Sequence, residues 1–120
     1  MKITNIKAVV LRLPEISSAA DGTQDDLIIT VETDEGITGY GEVDTAPYVG
    51  KAIINQYMSH GTAYGLREVV VGCDPFDYEQ IWNDMWAKTY YYGRTGPVMH
   101  VMSGIDMAIW DIMGKAVGKP

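Results

Sequence analysis

The sequence predicts an α+β domain in which a three-stranded antiparallel meander is followed by a helical bundle. Three observations carry this prediction: alternation of apolar and polar residues near the N-terminus, a turn sequence between two strand-like segments, and apolar spacings of three and four residues from Tyr48 onward. Because the strands come first and the helices second, the arrangement is α+β rather than alternating. A chain of 120 residues, 47% of them hydrophobic, has material for one compact core.

The first two strands are predicted over residues 2–13 and 26–34. The first segment mixes β-branched and apolar residues with charges at Lys2, Lys7 and Arg12, which is typical of a strand with one solvent-exposed face. The second alternates more regularly, so that one of its faces is predicted to be buried. The apolar side of this second strand consists of Leu27, Ile29 and Val31.

The turn Asp34-Glu35-Gly36 joins the second strand to a third, ITGYGEV, as a hairpin. Gly36 occupies the position that needs a positive φ. Gly39 and Gly41 lie two residues apart and therefore on one face of the third strand. Their missing side chains predict that a neighbouring element approaches the strand closely there.

Two helices are predicted in the middle of the chain. The first begins near Tyr48 and ends near His60-Gly61, with an apolar face of Val49, Ile53, Ile54, Tyr57 and Met58. The second begins after Asp77, whose carboxylate is predicted to cap the first turn, with Gln80 as its capping-box partner. Its buried stripe is predicted to contain Ile81, Trp82, Met85, Trp86 and Thr89.

The last helix is marked at both ends. Thr95 or Gly96 precedes Pro97 at the first helical position, and Gly118 with Pro120 ends the helix. Trp110 and the methionines of this segment are predicted to be core residues. The apolar face is predicted to contain Val98, Val101, Met102, Ile105, Ile109, Ile112 and Ala116.

Charge and cysteine content exclude several classes of function. Sixteen acidic residues against nine basic ones give a formal charge of -7, whereas nucleic acid and anionic membranes require a basic surface. The apolar run at residues 8–11 is too short for a signal peptide and is stopped by Arg12. The lone Cys73 cannot form an intrachain disulfide, and together these features predict a cytoplasmic protein with Cys73 as a small core residue.

No complete catalytic motif is present, such as a Walker loop, GxGxxG, GxSxG or a pair of His or Cys at metal-ligand spacing. His60 and His100 lie on or beside different helices and are interpreted as surface or capping residues. Asp106 and Asp111 would point about 140° apart on a helix, so they do not form a carboxylate pair. Asp111 is predicted instead to form a salt bridge with Lys115 at i,i+4.

Arg94 lies in a short connection between two helices, next to three consecutive tyrosines at residues 90–92. Its guanidinium group could bind a carboxylate ligand or pack on a tyrosine ring. The sequence leaves both alternatives open.

The chain resembles the N-terminal capping domain of the enolase superfamily, specifically the mandelate racemase and muconate lactonizing enzyme group. The resemblance covers nearly all of residues 1–120 and is carried by KITNIKAVVLRLP, DEGITGYGEV, VGCDPFDYEQIW and SGIDMAIWDIMGKAVGKP. The last segment is the most specific, because it looks like the family's signature at the junction between the capping domain and a (β/α) barrel.

This resemblance implies that chemistry belongs to a C-terminal barrel that these residues do not contain. In such a family the barrel binds Mg²⁺ and carries the bases that remove a proton α to a carboxylate. The resemblance therefore implies no catalytic residue and no metal ligand in this chain, which alone is predicted to be inactive. It implies a role in enclosing the substrate and setting specificity.

Two loops match the specificity loops of the family by position: residues 14–25 and residues 44–50. Composition alone would make both ordinary mobile connectors, whereas their position in the resembled fold makes them part of a substrate pocket. The residues predicted to line that pocket are Ser17, Ser18, Asp21, Thr45, Tyr48 and Arg94. Hydroxyl groups and a guanidinium suit a polar substrate that bears a carboxylate, which favours sugar acids.

The leading hypothesis is therefore the capping domain of a Mg²⁺-dependent sugar-acid dehydratase. A racemase or epimerase of an α-substituted carboxylic acid is the alternative within the same group. The expected partners are the small-molecule substrate and the barrel, with neither nucleic acid nor membrane, and a homo-oligomer is allowed. A hypothesis of another class is a free-standing protein-interaction domain without catalysis, which predicts an exposed apolar patch.

Overall fold

Three antiparallel strands form one layer of the molecule, in the order β1-β2-β3. The computed structural model describes residues 1–19 and 24–120. The strands are β1 (Ile3–Arg12), β2 (Asp25–Thr33) and β3 (Thr38–Val43). The α+β meander predicted from the sequence is confirmed, and each predicted strand lies within one or two residues of its observed position.

The hairpin between β2 and β3 is closed by the predicted turn. Gly36 has a φ of 77°, and its amide donates to the Thr33 carbonyl at 3.2 Å. The Thr33 amide in turn donates to the Ile37 carbonyl at 3.1 Å. This turn sets the register in which Val31 opposes Gly39 and Ile29 opposes Gly41. On the inner face of the sheet, two buried residues of β2 therefore lie directly opposite the two glycines of β3.

The second layer is helical and consists of α1 (Pro47–Asn55), α2 (Leu66–Val70), α3 (Tyr78–Thr89) and α4 (Pro97–Val117). A 3-10 turn over Pro75–Asp77 leads into α3. The short α2 and this turn were not predicted. Because α2 has only five residues, it does not complete two turns and carries too little periodicity to be recognised.

The longest helix, α4, lies against β3 at backbone contact distance. A Cβ built on Gly39 would lie 2.0 Å from the Ala108 carbonyl oxygen, and one on Gly41 would lie 1.9 Å from that of Gly104. Gly104 is itself close, since its Cβ would lie 2.4 Å from Val43. The predicted close approach at the two strand glycines is therefore confirmed, and the approaching element is α4.

The predicted end of the first helix is wrong. Helix α1 ends at Asn55, and Gln56 is already extended at φ -62° and ψ 153°. A returning segment packs there: a Cβ on Gly65 would lie 1.9 Å from the Gln56 carbonyl, and Gln56 Nε2 donates to the Tyr64 carbonyl at 2.8 Å. This contact ends the helix, which leaves Tyr57 and Met58 of the predicted apolar face beyond it and exposed. Val49 lies within α1 but on its exposed side.

The predicted capping box at α3 is also wrong. The Asp77 side chain makes no capping hydrogen bond, and Gln80 donates instead to Asp84 at 2.9 Å. Asp74 caps the preceding 3-10 turn, where its Oδ1 accepts from the Phe76 amide at 3.0 Å. Asp77 is the last residue of the 3-10 turn, so the chain already has a helical conformation before α3 begins. The capping position therefore lies three residues earlier, at Asp74.

The core lies between the inner sheet face and α4, with α1, α2 and α3 closing its sides. Cys73 is half-buried against this core, as predicted. Four predicted core residues are exposed instead, because they lie on outward helix surfaces or beyond the sheet: Trp86, Met107, Trp110 and Ala116. The remaining predicted apolar face of α4 is buried: Val98, Val101, Met102, Ile105, Ile109 and Ile112.

Candidate functional site at one end of the sheet

A cleft opens where three strand ends meet. Hairpin topology brings the end of β1, the beginning of β2 and the end of β3 to the same edge of the molecule. The cleft has a volume of about 670 Å³, which is within the usual range for small-molecule sites. Its described lining residues are Leu11, Arg12, Leu13, Gln24, Asp25, Asp26, Glu42, Val43, Asp44 and Thr45.

The charges of this cleft are predominantly acidic. Among the described residues that line it, four are carboxylates (Asp25, Asp26, Glu42 and Asp44) and one, Arg12, is a cation. Carboxylates accept hydrogen bonds from hydroxyl groups and repel a carboxylate ligand. The arrangement suits the hydroxyl-bearing part of a molecule better than its acidic end.

Gln24 ties the β1–β2 connection to the edge of this cleft. Its carbonyl accepts from the Leu13 amide at 2.8 Å. Its side chain accepts from the Ser17 amide at 2.8 Å and donates to the Ser17 carbonyl at 2.9 Å. Ser17 is therefore held beside the cleft by two hydrogen bonds to one glutamine, and Gln24 itself is a lining residue.

Of the predicted pocket residues, some line the cleft or lie beside it and others do not. Thr45 lines it directly. Ser18 is exposed in the loop that Gln24 anchors, and Asp21 lies outside the described residues. Tyr48 lies in the first turn of α1 with 62% of its surface exposed, and it does not line the cleft.

Arg94 is placed against a tyrosine. Its guanidinium carbon lies 5.2 Å from the centroid of the Tyr90 ring, which is the packing alternative left open by the sequence. The residue has a φ of 22°, an uncommon value for a non-glycine residue. Arg94 is not among the described residues that line the cleft, and its role toward a ligand stays a prediction.

Sequence reasoning did not select the charged residues of the cleft. Arg12 was assigned to a strand with one solvent-exposed face, and Asp25 and Asp26 entered only as the end of the first loop and the start of the second strand. The available signal was topological: in a meander, the residues that end β1, begin β2 and end β3 share one edge. Applied to the predicted strands, this rule brings together residues 13, 26 and 43, next to which Arg12, Asp25 and Asp44 lie.

The described residues provide no candidate metal centre. Nowhere in residues 1–19 and 24–120 do three or more His, Cys, Asp or Glu side chains come together in a group that could hold an ion. The four carboxylates of the cleft therefore do not form a cation cage. In the same part of the chain, no helix combines the length and apolarity needed to cross a bilayer.

A second surface feature is an apolar stripe along the outward side of α4. Met107, Trp110 and Val117 are 47%, 53% and 58% exposed and recur at spacings of three and seven residues, which places them on one helix face. The Trp110 ring lies 4.9 Å from that of Tyr78 on α3. This stripe, named here the α4 stripe, is an exposed apolar patch of the kind that the protein-interaction hypothesis predicts.

Asp106 lies one turn before Trp110 on the edge of the α4 stripe. Partial burial raises the pKa of its carboxyl group, and a hydrogen bond with Trp110 acts in the opposite direction. Asp111 behaves differently, because its hydrogen bond to Lys115 lowers its pKa. The two carboxylates thus have separate environments, as the helical geometry predicts, and the predicted salt bridge of Asp111 with Lys115 is confirmed at 2.6 Å.

Comparison with known proteins places the chain in one family. The family model described as "Mandelate racemase / muconate lactonizing enzyme, N-terminal domain" matches residues 3–120. The D-galactonate dehydratase of Xanthomonas campestris is 41% identical over 95 residues, which cover 78% of this chain and 22% of that protein. The L-rhamnonate dehydratase of Saccharopolyspora erythraea is 34% identical over 94 residues, with the same coverage of 78% and 22%.

Solved structures agree on the fold. A racemase from Streptomyces coelicolor, determined with bound magnesium, matches with a TM-score of 0.73 and 27% identity over 96% of this chain and 32% of that one. The chain spans about a fifth of the length of the curated relatives it matches.

Proposed function

Since the chain belongs to the N-terminal domain family of the mandelate racemases and muconate lactonizing enzymes, we propose that it is the capping domain of a longer sugar-acid dehydratase. The dehydratase assignment is supported by relatives that act, by their names, on D-galactonate and L-rhamnonate. In this proposal residues 1–120 enclose the substrate, and a barrel elsewhere in the polypeptide carries the catalytic bases and Mg²⁺. In that barrel, Mg²⁺ would supply Lewis-acid stabilisation of negative charge on the substrate.

The observation that carries the proposal is the acidic cleft at the strand ends, to which both predicted specificity loops contribute lining residues. Residues from the β1–β2 connection and the β3–α1 connection line one cavity, which supports the proposal that both loops contact one ligand. Their carboxylates can accept hydrogen bonds from the hydroxyl groups that a sugar acid carries along its chain. The carboxylate end of the substrate would then point away from this domain, toward the barrel.

Substrate recognition is assigned to side chains of the two loops and of the strand ends. Arg12 is the cationic donor of the cleft, and Thr45 supplies a hydroxyl at its rim. Ser17, Ser18, Asp21, Tyr48 and Arg94 are proposed to contact the substrate when the loops close over it. Closure also removes water, which strengthens hydrogen bonds to the substrate.

The test is turnover by the intact polypeptide supplied with Mg²⁺ and a panel of sugar acids that includes L-rhamnonate and D-galactonate. Dehydration removes the α proton and the β hydroxyl as water and yields a 2-keto-3-deoxy acid after tautomerisation. Formation of that product is expected. If none of the acids loses water or exchanges its α proton with solvent deuterium, the dehydratase proposal is wrong.

Racemisation is the second candidate, supported by the racemase among the structural neighbours. It predicts exchange of the α proton and inversion at the α carbon without loss of water. The same deuterium experiment separates the two reactions, because only the dehydratase yields a keto acid.

Specificity is tested by Tyr48→Phe, with Tyr57→Phe as its matched control. Both tyrosines are exposed, at 62% and 85%, but Tyr57 lies beyond the far end of α1 and away from the cleft. A change in the ratio of kcat/KM values between two acids is expected for Tyr48→Phe only. Equal ratios in both variants would remove Tyr48 from the substrate pocket.

The protein-interaction alternative is supported by the α4 stripe and makes a different prediction. In the capping-domain proposal this stripe is covered by the rest of the polypeptide, so Trp110 is shielded in the intact protein. Acrylamide quenching of tryptophan fluorescence, compared between the intact protein and its Trp110→Phe variant, isolates the Trp110 signal. Strong quenching of that signal, together with absence of turnover, would favour a free-standing interaction domain.

A further inference from the structure

His100 lies in the first turn of α4 and contacts a distant part of the chain. Its Nδ1 is hydrogen-bonded to the main-chain carbonyl oxygen of Asp44, which is 56 residues earlier. A carbonyl oxygen can only accept, so Nδ1 must carry the proton. The hydrogen bond therefore connects the N-terminal turn of α4 to the beginning of the loop between β3 and α1.

The Ala46 end of that loop is held by the amides of Val49 and Gly50, which donate to the Ala46 carbonyl at 3.0 and 3.1 Å, whereas its Asp44 end has fewer hydrogen bonds. Asp44 and Thr45 line the cleft, and α1 begins at Pro47 without a side-chain cap from Ala46. Within the loop, the Thr45 amide donates to the Val43 carbonyl at 3.1 Å. Among the described residues, the His100 ring is the side chain that forms a hydrogen bond with the Asp44 carbonyl.

The helix that carries His100 is firmly placed on the sheet. The backbones of β3 and α4 lie close together at Gly41 and Gly104, so α4 is tightly packed against the sheet there. Val98 and Val101, on either side of His100, are buried at 3% and 0% exposure. A group held by His100 is thereby held relative to the whole core.

We propose that His100 is a positioning residue, which fixes the Asp44 carbonyl and so orients Asp44 and Thr45 toward the cleft. The part of this inference that concerns substrate rests on the proposed function. The hydrogen bond from His100 to Asp44, named here the His100 tether, forms with either the neutral Nδ1–H tautomer or the imidazolium ion, because both donate from Nδ1. Only the Nε2–H tautomer lacks the donor.

The first test measures local order and requires no substrate. Hydrogen–deuterium exchange of the intact polypeptide is followed by mass spectrometry in His100→Leu and His100→Asn. Asn places an amide N–H close to the position of Nδ1, whereas Leu removes the donor and keeps bulk. Peptides covering residues 44–50 should exchange about three- to tenfold faster in the Leu variant, as expected for the loss of one hydrogen bond. The Asn variant should stay close to wild type.

Two results would overturn the proposal. Unchanged exchange at residues 44–50 in the Leu variant would mean that the hydrogen bond does not restrain the loop. Equal acceleration in the Leu and Asn variants would mean that ring packing, not the donor, matters. Peptides from the middle of α4 serve as the internal control, since their protection should be the same in all three proteins.

A measurement on the wild-type protein decides the matter even if the Leu variant does not fold. With ¹⁵N-labelled histidine, the two ring nitrogens of His100 report which one is protonated, and the His100→Asn spectrum identifies its signals. Protonated Nδ1 is expected, because this atom donates to the Asp44 carbonyl. A neutral Nε2–H tautomer would contradict the proposal.

Kinetics then connect the tether to substrate binding. With a sugar acid that is turned over, His100→Leu should raise KM several-fold with a smaller change in kcat, and His100→Asn should restore KM. Accelerated exchange without turnover of any acid would uphold the positioning role while removing the dehydratase function. Turnover of a sugar acid, with KM and exchange unchanged in His100→Leu, would uphold the dehydratase function and remove the positioning role of His100.

Discussion

The main-chain amide of Tyr40 donates a 2.9 Å hydrogen bond to the Oδ2 atom of Asp111 on α4. Tyr40 lies on β3, which is an edge strand of the sheet β1-β2-β3 in the part of the chain that the structure describes. Lys115 bonds the Thr38 carbonyl at 2.7 Å and the same Asp111 oxygen at 2.6 Å. One i,i+4 ion pair on α4 thus satisfies a donor and an acceptor of the strand edge, which protects that edge from pairing with another chain.

Replacing Asp111 with Ala should destabilise the domain by about 1 kcal/mol, a value reduced from that of a buried charged hydrogen bond because the site is partly exposed. The loss should depend on pH. The hydrogen bond from Lys115 and that from the Tyr40 amide hold the pKa of Asp111 below its ordinary value. Stability from a lowered carboxyl pKa is present above the ordinary value, near 3.9, and disappears as pH falls through the folded-state pKa.

Urea denaturation at pH 7 and at pH 3 checks this prediction. The difference between wild type and Asp111→Ala should be larger at pH 7 than at pH 3. Glu15→Ala, at an exposed position outside the sheet, is the control and should show no such difference. A difference that is equal at both pH values would mean that the charge of Asp111 does not contribute.

Gly41→Ala should be among the most destabilising single-methyl substitutions in this chain. The added Cβ would lie 1.9 Å from the Gly104 carbonyl oxygen, so α4 would have to move away from β3. Overpacking of this kind costs about 1–3 kcal/mol or more. The urea midpoint of Gly61→Ala provides the control, because a Cβ there meets nothing within 4 Å. Similar midpoints for the two variants would contradict the close packing.

Ile105→Ala and Met107→Ala compare the two sides of α4. Ile105 is completely buried, and its truncation should cost about 2–5 kcal/mol through lost burial and a cavity. Met107 is 47% exposed on the α4 stripe, so Met107→Ala should cost much less in the free domain. Thermal unfolding of both variants measures the contrast. If Met107→Ala is as destabilising in the intact polypeptide as Ile105→Ala, the stripe is covered there by another surface.

Cys73 should react slowly with iodoacetamide at neutral pH. Its pKa is raised, chiefly because burial disfavours the thiolate and secondly because of the nearby Asp84 charge, while Lys2 acts in the opposite direction. The reaction should therefore accelerate only at pH values above the ordinary thiol range near 8.5. Intact mass after timed labelling gives the rate, and the urea-unfolded chain at the same pH is the reference. Equal rates in the folded and unfolded chain would show that Cys73 is not shielded.

The elements defined by local patterns were predictable. Alternation located the strands, Gly36 the hairpin turn, and Pro97 with Gly118 the two ends of α4. The salt bridge of Asp111 with Lys115 followed from helical spacing alone. What spacing does not contain is the second contact of that pair, with Tyr40 and Thr38, which are more than 70 residues away in sequence.

The candidate site was predictable only in outline. The two loops followed from family resemblance, and Thr45 of the second loop lines the cleft. Its contact with a substrate stays a prediction. The charged lining residues were missed because each one, taken alone, is an ordinary exposed residue at a strand end. The interpretation of His100 as a surface or capping residue agrees with its exposed position. The sequence shows neither the orientation of its ring nor the carbonyl that it contacts.

By itself, the sequence determined the order of strands and helices, the family, and the absence of a recognisable catalytic motif, because these depend on short-range periodicity and on residue types. The tertiary structure alone decided where α1 ends, which residues of α4 are exposed, and which charges share the cleft. The physical reason is that these features arise from contacts between distant segments. The Gly65 backbone stops α1 at Gln56, the two strand glycines admit α4, and His100 connects α4 to Asp44.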